Sequence, residues 1–139
     1  MLKTLTDKDI QKYAHQIVLK NIGLNGQKKI LTSKVFILGM GGLGSPVSLY
    51  LTAAGIGTLG IADYDKIELS NLQRQIIYNQ KNINKPKVEI AKKKLLSINP
   101  KLKINIYKKK ITKVNIDKII KEYDVIVDGS DNFKTKYLI

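Results

Sequence analysis

Gly39, Gly41 and Gly44 fit the pattern G-x-G-x-x-G within the run Gly39-Met40-Gly41-Gly42-Leu43-Gly44-Ser45. An apolar stretch, Val35-Phe36-Ile37-Leu38, leads into that run, and a helix-forming segment, Pro46 to Ala54, leaves it. A strand, a tight glycine turn and a helix start make an anion site. The glycines let the backbone approach a phosphate closely, and the first helical amides face it along the helix dipole. The chemistry expected here is nucleotide binding. Asp63 follows at about the 20-residue distance at which an acid takes ribose hydroxyls in dinucleotide-binding folds. A carboxylate suits that task because it can accept from two hydroxyls at once. Arg74 is the only arginine in the chain, and its planar fork of donors suits phosphate oxygens. Lys87 falls in the first turn of an expected helix, where a cation opposes the dipole, so a phosphate contact is expected of it. Asp131, beside Asp128-Gly129-Ser130, could ligate Mg²⁺, which takes one or two carboxylates plus phosphate oxygens and water.

The elements that must position these residues follow from periodicity. Thr6 caps a helix with Asp7 and Asp9 in its first turn, and Ile10, Tyr13 and Ile17, with Ala14, share one face. A second short helix is expected from Leu24 to Leu31. Residues 1–33 therefore form an N-terminal helical arm, which carries His15 and is expected to make a dimer contact. The first strand is Lys34–Leu38, and the helix after the glycine loop runs to about Ala54, closed by Gly55-Ile56-Gly57. The second strand, Leu59–Ala62, ends at Asp63-Tyr64-Asp65. Ser70 or Asn71 is expected to cap a short helix carrying Gln73 and Arg74. Pro86 is expected as the first residue of a helix with Val88, Ala91, Leu95 and Ile98 inward. Leu102–Tyr107 alternates as a half-buried strand, and Lys108-Lys109-Lys110 is expected to be its exposed end. A helix over Asn115–Lys121 and a fourth strand, Tyr123–Asp128, complete the pattern. The fold expected is α/β, a Rossmann-like, doubly wound and mostly parallel sheet, with residues 34–139 as the nucleotide-binding domain. Ligands of such sheets sit at the carboxyl ends of strands, so the glycine loop, Asp63 and Asp131 are expected in one crevice. The chain stops at Tyr137-Leu138-Ile139, partway into an expected helix, so the domain is expected to be incomplete at its C-terminus.

Composition narrows the classes. With 139 residues and 43% apolar content the chain suits one domain with a real core. The net charge of +14 is nearly all lysine. No nucleic-acid motif accompanies it and aromatics are only 6%, so specific nucleic-acid binding is not expected. Nothing approaches the ~18 apolar residues of a membrane span. The opening residues lack the apolar core of a signal peptide, which makes the cytoplasm the default. The absence of cysteine removes disulfides and thiolate zinc sites. Two enzyme readings remain on the residues alone. A nicotinamide or flavin oxidoreductase domain explains the glycines and Asp63. An ATP site with Mg²⁺ also gives Arg74, Lys87 and Asp131 a shared task.

At this point the chain resembles the ThiF/MoeB branch of the E1-like adenylyltransferases, which activate ubiquitin-like sulfur-carrier proteins. The resemblance runs from about Tyr13 onward. It rests on Gly39-Met40-Gly41-Gly42-Leu43-Gly44-Ser45-Pro46, Ala54-Gly55-Ile56-Gly57, Asp63-Tyr64-Asp65, Ser70-Asn71-Leu72-Gln73-Arg74-Gln75, Lys85-Pro86-Lys87, Ile98-Asn99-Pro100 and Asp128-Gly129-Ser130-Asp131-Asn132. It implies that ATP and Mg²⁺ are bound and that the Gly-Gly carboxylate of a carrier attacks the α-phosphate. Gly39, Gly41, Gly42 and Gly44 would then hold the nucleotide, with Asp63 on its ribose and Asp65 beside it. Asn71, Arg74 and Lys87 would line the phosphates, and Asp131 would hold the metal. It also implies a homodimer in which the arm reaches the partner's phosphates. The family's arm reads Arg-Tyr-x-Arg-Gln, where this chain has Lys12-Tyr13-Ala14-His15-Gln16, so His15 replaces the reaching arginine. Family members are longer, and their remainder carries the crossover loop, the carrier-docking surface and any zinc motif. A non-catalytic nucleotide-binding or dimerisation module is the alternative expectation.

Overall fold

The computed structural model describes residues 4–131. Asn132 and the closing segment Tyr137-Leu138-Ile139 lie outside the described residues, as does the expectation about how the domain ends.

Four strands, β1 (Lys34–Leu38), β2 (Thr58–Ala62), β3 (Lys103–Tyr107) and β4 (Val125–Asp128), pair in parallel in the order β3-β2-β1-β4. Three helices make the crossovers: α4 (Gly44–Ala54) joins β1 to β2, α5 (Lys87–Ile98) joins β2 to β3, and α6 (Lys113–Ile120) joins β3 to β4. The strand order reverses beside β1. That switch opens a crevice at the carboxyl ends of β1 and β4, where doubly wound sheets bind ligands.

Alternation along β1 builds both cores, because successive side chains point to opposite faces. Val35 and Ile37 pack with Leu59, Ile61, Val88, Ala91 and Leu95, under α4 and α5. Phe36 and Leu38 pack with Ile116 and Ile119 of α6. Helices on both faces explain why the central strands are apolar almost throughout.

Before the sheet come α1 (Asp7–Lys12), α2 (Ala14–Ile17) and α3 (Gly23–Thr32). Thr6 caps α1 as expected, in a reciprocal capping box with Asp9. The apolar face expected of one continuous helix is not realised. The chain breaks at Tyr13, leaving Ile10 exposed, while Tyr13 is buried and its ring fills the space beside Gly55. Gly55 has φ +92°, the left-handed conformation that ends α4. Pro86 also departs from its expected place. It is the extended residue preceding α5, and Lys87 is the first helical residue. Among the described residues no helix is long and apolar enough to cross a membrane.

Candidate active site

The glycine loop is shaped by backbone crowding. Gly39 has φ +91°, and a Cβ there would lie 2.8 Å from the Gly129 carbonyl oxygen. A Cβ on Gly44 would run into the Gly39 carbonyl oxygen. The loop therefore folds onto itself and onto the chain after β4, and Gly129 N–H donates to Leu38 O at 2.7 Å. No side chain caps α4, but the row of free amides expected at its start is not realised: Ser45 N–H donates to Gly41 O at 3.0 Å and Val47 N–H to Leu43 O at 3.4 Å, and Pro46 has no N–H, which leaves the Gly44 amide.

Asp63, at the end of β2, ties the loop to its surroundings. Met40 N–H donates to Asp63 Oδ2 at 2.9 Å and Asp65 N–H to Asp63 Oδ1 at 2.8 Å. Two further bonds stitch the same loop to residues 77 and 78. Ile77 N–H donates to Ser45 Oγ at 3.1 Å and Tyr78 Oη–H to Met40 O at 2.8 Å. Burial, reinforced by the Asp63 charge, pushes the Tyr78 phenol well above its ordinary pKa, so it stays a neutral donor.

Lys87 is the buried cation of the site. Lys66 and Pro86 form an antiparallel bridge, and Lys87 N–H donates to Asp65 O at 3.1 Å. This sets the side chain beneath the two aspartates, its Nζ 3.5 Å from Asp65 Oδ2 and 4.0 Å from Asp63 Oδ2. The Lys87 side chain is only 7% exposed whereas that of Asp65 is 52% exposed. The ammonium is thus enclosed, with long contacts that leave it able to turn toward another anion.

The crevice is lined by Gly39, Gly41, Asp63, Asp65, Lys87 and Asp131 among the residues expected from sequence. The other expected residues stand around it. Gly42 lies against the stem of Arg74, whose Cδ would be 3.5 Å from a Cβ at that glycine. The Arg74 guanidinium folds back, Nη1 donating to Ser70 O at 3.1 Å, and does not line the crevice. Asn71 caps a 3₁₀ turn, Leu69–Asn71, its Oδ1 accepting from Glu68 N–H at 3.1 Å. Glu68, rather than Ser70 or Asn71, precedes that turn. Gly44 is buried at the start of α4. His15 is exposed on α2, beside Gln16, whose Nε2 donates to Ala54 O at the far end of α4. An eleven-residue helix spans about 16 Å, so within one chain His15 stands well away from the loop.

Sequence reasoning missed three contributors. Lys109 and Lys110, expected as a solvated strand end, line the crevice with Ile111. Lys108 is tied back to α5 through Glu89 Oε1 at 2.8 Å, and the chain beyond it turns inward. Gln75 also lines the crevice, although only 3% exposed, and its Oε1 has no hydrogen-bond partner. A glutamine directly following the arginine of the expected phosphate segment was the available signal. Among the described residues no cluster of three or more His, Cys, Asp or Glu side chains is placed to hold a metal.

The crevice thus brings together the glycine loop, Asp63, one buried lysine, Lys87, and two exposed ones, Lys109 and Lys110, and it can be set beside known proteins. Residues 13–139 match the ThiF family. A probable molybdopterin-synthase adenylyltransferase of Gracilaria tenuistipitata var. liui is 43% identical over 98% of this chain and 38% of that protein. A sulfur carrier protein adenylyltransferase of Thermus thermophilus is 39% identical over 96% of this chain and 49% of the relative. The chain thus spans less than half the length of these curated relatives. Among solved structures, E. coli MccB with AMPCPP and MccA superposes with a TM-score of 0.77 at 31% identity, over 87% of this chain and 37% of that one. E. coli TcdA in complex with ATP shares the fold, with a TM-score of 0.90 at 22% identity over 98% of this chain and 56% of that one. On the loop, the crevice and these likenesses together, the chain belongs to the ThiF family.

Proposed function

We propose that the chain carries the ATP site of an adenylyltransferase that activates the C-terminal Gly-Gly carboxylate of a ubiquitin-like sulfur-carrier protein, for thiamine or molybdenum-cofactor synthesis in the cytoplasm. The observation that supports this most is the meeting of the glycine loop, Asp63, Lys87 and Asp131 in one crevice of a ThiF-family chain. The carrier carboxylate attacks the α-phosphorus, a carboxyl oxygen–phosphorus bond forms, and the bond to the bridging oxygen breaks, releasing pyrophosphate. The nucleophile is already ionised, so no general base is needed. Catalysis is charge work on the α-phosphate and the leaving pyrophosphate.

Each residue has a part in that work. Gly39, Gly41, Gly42 and Gly44 let the loop backbone and the Gly44 amide approach the phosphates, and Asp63 accepts from the ribose. Asp65 keeps Lys87 in reserve until a more highly charged phosphate draws the ammonium away. Arg74 leaves Ser70 O for the phosphates, and Asn71 contributes from the turn it caps. Asp131, exposed at the crevice, fits a Mg²⁺ that arrives on ATP, since that ion needs only one or two carboxylates beside phosphate oxygens and water. When bound, the ion offsets charge on the phosphates. In a homodimer His15 reaches the second copy's phosphates, and a His15→Arg substitution raises activity there. An unchanged rate in that variant counts against the part given to His15.

The test is calorimetric titration of the purified chain and of Arg74→Ala with ATP–Mg²⁺ and with NAD, followed by carrier-dependent exchange of labelled pyrophosphate into ATP. ATP binding that Arg74→Ala weakens, with exchange that requires the carrier, is the expected result. NAD binding indifferent to Arg74→Ala overturns it.

A further inference from the structure

Gln75 is a buried residue of the crevice to which the reaction above gives no part. The backbone around it is held on both sides. Gln75 N–H donates to Asn71 O at 2.9 Å, and Tyr78 N–H donates to Gln75 O at 3.1 Å. Ser45 and Met40 anchor the next residues to the glycine loop. The side chain runs under that loop, where its Nε2 would lie 3.4 Å from a Cβ on Gly41. Among the described residues no hydrogen bond holds its carboxamide, and the buried Oε1 is without a partner. A buried amide left in this way is costly, and buried polar groups that lack partners call for an explanation.

The contrast with Gln27, buried completely, is direct. Its Nε2 donates to Ala54 O at 3.0 Å, and its Oε1 accepts from Gln16 Nε2 at 3.0 Å. This chain satisfies a glutamine amide where the role is structural.

Resting on the ATP reading above, we propose that the Gln75 carboxamide is a ligand of the α-phosphate. Asp63 marks the ribose, so the phosphate next to the ribose lies over Gly41, and the Gln75 amide donates through Nε2 to one of its oxygens. A neutral donor suits this position. Lys87 and Arg74 supply charge, whereas an amide at Gly41 adds direction without drawing the carrier's carboxylate away from phosphorus. The nucleotide takes up the Nε2 end, which faces Gly41, while Oε1, an acceptor, gains nothing from a phosphate oxygen and stays without a partner.

The experiment is calorimetry on the full chain, wild type and Gln75→Met, with ATP–Mg²⁺, AMP and adenosine as separate titrants, alongside thermal melting. Methionine keeps the length and removes the amide. The expected result is that ATP and AMP weaken by the same factor, about tenfold or more, as for a lost hydrogen bond to a charged group, while adenosine is unaffected. The melting temperature holds or rises, because the orphan atom is gone. Gln75→Glu, which keeps the shape and puts a negative charge beneath the phosphate, weakens ATP and AMP further. It carries the test by itself if the methionine variant does not fold. ATP and AMP affinities within about twofold of wild type overturn the proposal, and so does equal weakening of adenosine, which marks a general distortion. Wild-type chain that binds neither ATP nor AMP overturns the ATP reading itself, and this inference with it.

Discussion

The two ends of the sheet use similar materials to opposite purposes. At the amino end, Tyr13 fills the space beside Gly55, Gln16 and Gln27 share the Ala54 carbonyl, and Asp9 accepts from Thr6 while pairing with Lys101 at 3.3 Å. These polar groups close on one another. At the carboxyl end, glycines leave backbone bare, Lys87 rests on long contacts and Gln75 keeps an unpartnered acceptor. One end holds the arm to the sheet, and the other leaves a crevice lined by the glycine loop, Asp63 and Lys87. Burial alone does not separate the two. What separates the two buried glutamines is whether the amide has partners inside the chain: that of Gln27 has them and that of Gln75 does not, although Thr52 Oγ1 near the amino end is unpartnered as well.

That contrast can be broken at its strongest point first. Gly44→Ala drives a Cβ into the Gly39 carbonyl, and the loss is expected to be about 3 kcal/mol in urea unfolding. A midpoint unchanged from wild type would show that the loop relaxes cheaply. Gln27→Met is expected to cost about 2 kcal/mol, because two buried partners lose their bonds, with ATP affinity unchanged. If it moved ATP affinity as well, the two ends would not be independent.

Asp9 gives a pH test. Its hydrogen bonds from Thr6 hold its carboxyl below the ordinary value of 3.8, against an opposing effect of burial and with help from Lys101. A lowered folded pKa contributes stability that is present above the unfolded value and lost as pH falls through the folded one. Stability should therefore decline below pH 3.8, and Asp9→Asn should flatten that acid limb at a cost of about 1 kcal/mol near neutrality. An acid limb of unchanged slope would remove Asp9 from the account. The smallest effect is expected from the paired change Lys109→Ala and Lys110→Ala. It should weaken ATP about threefold and reduce the salt dependence of binding, as the loss of steering charge would. Salt dependence equal to wild type would return these lysines to the solvated surface.

Local chemistry was legible in the sequence. The span of β1 follows from four apolar residues before a glycine turn, the end of α4 from Gly55, and the cap of α1 from Thr6 with Asp9. The meeting of the glycine loop with Asp63 and Asp131 follows from the habit of doubly wound sheets. What escaped depends on contacts between distant parts of the chain. Ile10 and Tyr13 carry the same helical signal, yet a break at Tyr13 turns one outward and seats the other against Gly55. Three consecutive lysines look alike until Glu89 takes the first and the next two face the crevice. Lys87 drew notice as a cation at a helix start, but its enclosure by Asp63 and Asp65 required the bridge between Lys66 and Pro86.

The position of β4 bears on how the molecule comes to be. β1 meets β2 after a short crossover, but it meets β4 only when far more chain is available, and Lys34 N–H donates to Asp124 Oδ2 across 90 positions. Closing so large a loop is the slow entropic step of such topologies. Gly129, which abuts Gly39 and donates to Leu38, is part of that distant segment. The crevice wall at Gly129 is therefore set by a contact of long sequence separation, whereas the glycine loop and Asp63 are brought together by the shorter β1–β2 crossover.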